Sequence, residues 1–417
     1  MRLINKFRSA IRRGTGEAHI IMKSHPEVDF SEEIIYACIN DCSYDGQCEG
    51  SRGDYLFELI SISKQKDIIK KAVLKALARE KDDFWALCQL FDLASLFVLD
   101  GDSKARRAIY ARYGNDTDWA GEEEIIKLDG FEGLIFIVKK IGNSLKNNPD
   151  DWQDGACVSN FQEDNPSVKV WEKLEKLSKS DTDIMRYLDN VANTNTSKEG
   201  EETKKGEEGN LIDRILSCKF KYFILKMVKE NSSGEDLILI AKRFLKETNI
   251  EHKEKLLYVF TEYNYPLDYR PILELAQKCK HKKYEIALYA KLALSNIQAK
   301  EIREYALEKL ENTTQPAIYT DILKSNYRDG DEKLLIRIAE KFNSECVIES
   351  LVCSYIEIYK KNRTPKCQKP LEILYGKMNC GLHREDIVKL MIDNNVLSDK
   401  VRNEIIYDSN FDTRKLI

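Results

Sequence analysis

Tyr284 to Leu310, YEIALYAKLALSNIQAKEIREYALEKL, constrains the fold of this chain more than any other stretch. It reads as two short amphipathic helices joined at Ser295-Asn296. Ile286, Ala287, Ala290, Ala293 and Leu294 share one face of the first. Ile302, Ala306, Leu307 and Leu310 share one face of the second, with Arg303, Glu304, Glu308 and Lys309 outside. Neither helix can bury its face alone. The alanines let two backbones approach closely, so the pair is suited to stacking on similar pairs, which is the logic of a helical solenoid.

The rest of the chain agrees with that class. Its 417 residues suffice for two or three ordinary domains or one extended array, and a charged fraction of 33% with only 8 prolines suits solvated helices. The formal charge of −4 gives no global attraction to nucleic acid. No apolar run approaches the length of a membrane span, and Met1 to Arg13 lacks the apolar centre and cleavage site of a secretory signal. The eleven cysteines are odd in number and scattered through helical patterns, which points to a reducing cytoplasm.

Helix signals run from end to end. Met1 to Arg13 carries an apolar stripe of Leu3, Phe7 and Ile11 ringed by arginines, read as a terminal helix closing a solenoid in preference to a membrane-surface helix. Asp29 and Glu32 form a capping-box-like start for a helix over Ile34 to Ile39. Helices are expected at Glu122 to Leu128, Phe131 to Ile141 and Leu211 to Val228, and helical pairs recur to the C-terminus. Asn193 to Asn210 has no hydrophobic residue and reads as a flexible polar linker. The expected organisation is therefore an N-terminal helical array over 1–192, the linker over 193–210 and a C-terminal array over 211–417. No strand-type alternation of convincing length occurs.

The hairpins and the Glu301 to Leu310 helix, EIREYALEKL, resemble HEAT repeats. YDGQCEGSRGDYL (Tyr44 to Leu56) and KLDGFEGLIFI (Lys127 to Ile137) resemble segments of bacterial HEAT-repeat proteins of unassigned function. The resemblance implies an all-α, right-handed α-solenoid of HEAT-like helical hairpins. It brings no mechanism, and no functional residue transfers from it.

Two polar loops are candidate partner-binding surfaces. Asn40 to Arg52 offers Tyr44, Asp45, Gln47, Glu49 and Arg52 at a helix start, and Trp119 stands in the polar loop Gly114 to Gly121. Each also reads as local structure, with Asp45-Gly46 and Glu49-Gly50 as turns, Arg52 paired locally to a carboxylate, and Trp119 as a roof over the core. Lys278, Lys280, His281, Lys282 and Lys283 form a basic cluster in which the lysines could contact phosphates. Cys38, Cys42 and Cys48, and separately Cys367, Cys380 and His383, have spacings that could gather around a metal. Neither set has the doubled C-x-x-C knuckle of a strong zinc signal, so both read as thiols that only pack. No metal or other cofactor is expected. No phosphate loop, nucleophile elbow or H-E-x-x-H helix is present, and the five histidines stand in no triad context.

The expected function is non-enzymatic recognition of a macromolecule, a protein partner first. The alternatives are a DNA-binding protein of the HEAT-like glycosylase kind and an immunity or antitoxin protein.

Overall fold

The computed structural model describes residues 2–79, 83–115, 119–197, 210–278 and 285–417. These form helices, turns and loops with no strand among them. No described helix is long and apolar enough to cross a membrane. Contacts divide the chain into two compact units, Met1–Lys204 with Glu404–Arg414, and Lys205–Asn403 with Lys415–Ile417.

In the first unit the central element is Phe84–Leu99, FWALCQLFDLASLFVL, apolar around most of its circumference and buried for that reason. It packs against Gly53–Ile62, Lys66–Leu77 and Ser103–Arg112. Asp83 starts it by accepting a hydrogen bond from the backbone N–H of Ala86 at 3.0 Å, and Asp102 caps the next helix through Lys104 and Ala105. Arg2–Arg13 turns its apolar stripe inward: Phe7, Ala10 and Ile11 are buried, with the Phe7 ring 4.2 Å from that of Phe30. Protein, not lipid, covers that face. The capping box expected from Asp29 and Glu32 does not form: Asp29 accepts from the N–H of Ser31 in a local turn, and the Ser31–Ile39 helix starts from Phe30 with no side-chain cap.

One expected break is present and one unexpected break appears. Within Glu122–Ser144 the backbone leaves helical geometry at Gly130, between Leu128 and Phe131 as expected, with a φ of 55° and ψ of −129° that only glycine adopts readily. The single helix expected over Leu211 to Val228, by contrast, is two, Leu211–Ser217 and Lys221–Asn231. Ile215 is buried in the first, Ile224 and Val228 in the second, and extended backbone at Phe220 resets the phase between them. Of the expected linker, residues 198–209 lie outside the described residues, and Thr182–Ser197 is helical.

In the second unit the described helices pack on those one to three places along the chain, an arrangement compatible with a helical solenoid. Ile286–Leu294 lies against Arg270–Lys278 and Ile250–Val259, so its closest pairing is with the helices before it and not with Lys300–Asn312. Tyr289 takes a buried place on its inner face that the small-residue pattern assigns to Ala287. Polar side chains fasten successive turns. Asn326 donates to the carbonyls of Ile297 and Ile322 and accepts from the N–H of Ala299. Arg303 reaches Asp331 with two hydrogen bonds of 2.7 Å and donates to the Asn326 carbonyl.

Candidate functional site

The Asn40–Arg52 loop is held from within. Asp45 accepts from the N–H groups of Gln47 (3.0 Å) and Cys48 (3.2 Å) and so caps the short Gly46–Glu49 helix. Glu49 accepts from the N–H groups of Tyr44 and Asp45 and holds Arg52 at 3.1 Å. Arg52 is only 5% exposed and donates to the carbonyls of Arg12 (2.7 Å) and Cys42 (3.1 Å). It ties three chain segments together and presents little to a partner. Tyr44, Asp45 and Gln47 do face outward, beside Trp85, whose ring lies so close to Gly46 that a Cβ there would meet it at 2.6 Å. Trp119 belongs to another contact, half-buried with its ring 5.8 Å from that of Tyr113. Of the basic cluster, Lys278 is exposed and paired with Glu274 at 3.0 Å, while Lys280, Lys282 and Lys283 lie outside the described residues.

A surface that sequence reasoning missed lies at the break before Lys221–Asn231. Phe220, Tyr222 and Phe223 are 66%, 73% and 50% exposed. Their rings touch, with centroids 6.2 Å apart for Phe220 and Phe223 and 5.6 Å for Tyr222 and Phe223. Water is a poor neighbour for three adjoining aromatic rings, and such clusters mark interaction surfaces. The lysine among them points the other way. Lys221 Nζ donates to Tyr289 Oη (2.8 Å), Glu254 Oε1 (3.2 Å) and Glu285 Oε2 (3.2 Å). Tyr289 in turn donates to Glu285 at 2.6 Å, and this bond followed by Lys221 holds the Glu285 carboxyl below its ordinary range. Glu254 is 3% exposed and also accepts from the N–H of Glu285 at 2.6 Å. The buried carboxylate draws the lysine inward and leaves the aromatics outside. The signal was present as Phe-Lys-Tyr-Phe, hidden by the assumption of one continuous helix.

Metal-ligand chemistry converges at one place among the described residues. Donor atoms of Glu349, Cys380 and His383 lie within 4.8 Å of one another. His383 Nδ1 is 2.5 Å from Glu349 Oε1, and on the other edge of the ring Nε2 is 3.5 Å from Cys353 Sγ. Cys353, then Cys380 and Glu349, push the imidazole up to about 12. Two well-formed helices set this geometry: Glu349 and Cys353 are one turn apart on Glu345–Lys361, and Cys380 and His383 begin Gly381–Asp393, packed against it. The sequence reading named Cys380 and His383 but grouped them with Cys367, which is buried and whose thiol burial pushes up to about 11. Cys38, Cys42 and Cys48 do not converge on a further such group. No disulfide forms among the described cysteines.

Comparison of the chain with known protein families, curated proteins and solved structures finds no match.

Proposed function

We propose that this chain is a non-enzymatic recognition protein, built from HEAT-like helical arrays, that binds a protein partner in the cytoplasm. The observation that carries the reading is the exposed cluster of Phe220, Tyr222 and Phe223. Aromatic residues at the centre of a patch supply most of the energy of a protein interface, and charged groups at its rim set the register. The Tyr44, Asp45 and Gln47 edge beside Trp85 offers a second, smaller surface of the same chemistry. Successive packing of neighbouring helices supports the solenoid architecture, whose inner helices give extended binding faces.

The test is affinity capture with the full chain and with a triple variant, Phe220→Ser, Tyr222→Ser and Phe223→Ser, each with and without nuclease. A protein recovered by the parent chain under both treatments and lost with the triple variant is the expected result. Equal recovery by both chains removes the aromatic patch from the reading. Recovery that disappears with nuclease transfers the proposal to nucleic acid.

A further inference from the structure

We propose that Glu349, Cys380 and His383, completed by Cys353, bind a single zinc ion that staples the Glu345–Lys361 and Gly381–Asp393 helices together. The inference is independent of the recognition reading.

Three observations carry it. The donor set contains two thiols, an imidazole and a carboxylate, the combination that selects a borderline to soft divalent cation over calcium or magnesium. The donors come from rigid elements at short spacings, Glu-x3-Cys on one helix and Cys-x2-His at the start of the next, so little ordering is required on binding. Finally, one donor is unsatisfied. Glu349 Oε2 is buried without a hydrogen-bond partner, while the other carboxylate oxygen already pairs with His383 Nδ1 at 2.5 Å. A buried carboxylate oxygen without a partner is uncommon, and a cation between carboxylate, thiolate and ring nitrogen would satisfy it. Glu349, Cys380 and His383 supply three ligands within 4.8 Å. Cys353 Sγ lies against Nε2, on the ring edge away from Glu349, so with zinc on the Nδ1 side it becomes the fourth ligand only after rotating about its Cα–Cβ bond, which its exposure leaves room for.

A catalytic Cys-His-Glu triad would share the order Cys353, His383, Glu349. That reading leaves Cys380, buried among the same donors, without a role.

The experiment uses the full chain, stripped with chelator under reducing conditions, then dialysed against micromolar zinc and assayed by mass spectrometry for bound metal. One equivalent per chain is expected. Replacing zinc by cobalt(II) should give a thiolate-to-metal charge-transfer band that weakens in Cys353→Ser. Losing a group that only hydrogen-bonds to a metal ligand lowers metal affinity about 10–100-fold, so His383→Gln and Cys380→Ser, which remove ligands, should lose at least that much. Cys346→Ser, an exposed thiol on the same helix, should bind as the parent does. Zinc should also raise the thermal midpoint of the parent chain and leave that of His383→Gln unchanged. Glu349→Gln, at a partly exposed position, keeps the test open if Cys380→Ser fails to fold. The proposal is overturned if the parent retains less than a tenth of an equivalent, or if His383→Gln and Glu349→Gln bind zinc as the parent does.

Discussion

The guanidinium of Arg52 is committed to the protein's own backbone, and that decides what its removal does. Arg52→Ala withdraws the donor from the carbonyls of Arg12 and Cys42 and leaves Glu49 without its cation, in a setting where the side chain is almost fully buried. Loss of one partner from such a buried set costs about 2–4 kcal/mol, which chemical denaturation would register as a lower midpoint. An unchanged midpoint would show that the latch holds nothing. Glu124 makes the opposite kind of residue. Burial, with Asp92 and Glu123 nearby and a backbone hydrogen bond and Lys127 as the partial offset, pushes its carboxyl from 4.5 to about 7. Between those values the folded chain holds a proton that the unfolded chain has lost, so stability falls as pH rises across that window. Glu124→Gln has no proton to lose. It should be more stable than the parent above about pH 7 by roughly 1 kcal/mol, with the advantage gone below pH 4.5. Parallel pH profiles for the two proteins would sink this account. Part of the Arg52 role was legible, because the loop also reads as Arg52 paired locally to a carboxylate, and Glu49 is that carboxylate. Its bonds to the Arg12 and Cys42 carbonyls and the burial of Glu124 were not, since whether a charge faces solvent or a carbonyl is set by segments far along the chain.

At the scale of single elements, apolar spacing placed most helices because it is local. The Asp129-Gly130 break was visible as turn chemistry, and Gly130 is where Glu122–Ser144 kinks. A Cβ at Gly130 would meet nothing within 4 Å, so a substitution there isolates backbone strain. Gly130→Ala should therefore destabilise by about 1–3 kcal/mol despite open space around it, and an indifferent melting curve would show that the kink relaxes freely. The Phe220 to Phe223 stretch was illegible for a related reason. Its orientation follows from Glu254, 31 residues before Glu285 in the chain, which captures Lys221 and Glu285 together. Lys221→Met strands a carboxylate that is 3% exposed and should cost about 3 kcal/mol. Tyr222→Ala, at a position 73% exposed, should stay within about 0.5 kcal/mol. Equal effects of the two substitutions in urea denaturation would contradict the proposed inward lysine and outward aromatics.

At the scale of the whole chain, periodicity reveals that helices stack but not which part of the chain supplies each layer. The stretch Glu404–Arg414 groups with the N-terminal unit, a pairing across nearly the full length that no local pattern announces. Its contacts are specific. Ser409 donates its N–H to the Gly14 carbonyl at 2.8 Å, and Arg414 grips both oxygens of Glu58 at 2.7 and 3.1 Å. The Tyr407 ring stacks on buried His19 at 4.2 Å while its hydroxyl accepts from Lys23 at 3.0 Å. Gly14 and Gly16 are glycines for the same reason, since a Cβ at either would run into Ser409 or the Glu404 carbonyl. If this segment is part of the N-terminal unit's fold, loosening it should be felt at Glu17–Ser24 and Gly53–Ile62 and nowhere in the second unit's core. Tyr407→Ala with Arg414→Ala in the full chain should accelerate amide exchange in those two helices, measured by mass spectrometry, because their stability includes the contacts removed. Protection of Glu345–Lys361 should be unchanged. Exchange that stays slow at Glu17–Ser24 would mean the C-terminal segment only rests on the N-terminal unit, and acceleration spread evenly over both units would mean that the two unfold as one.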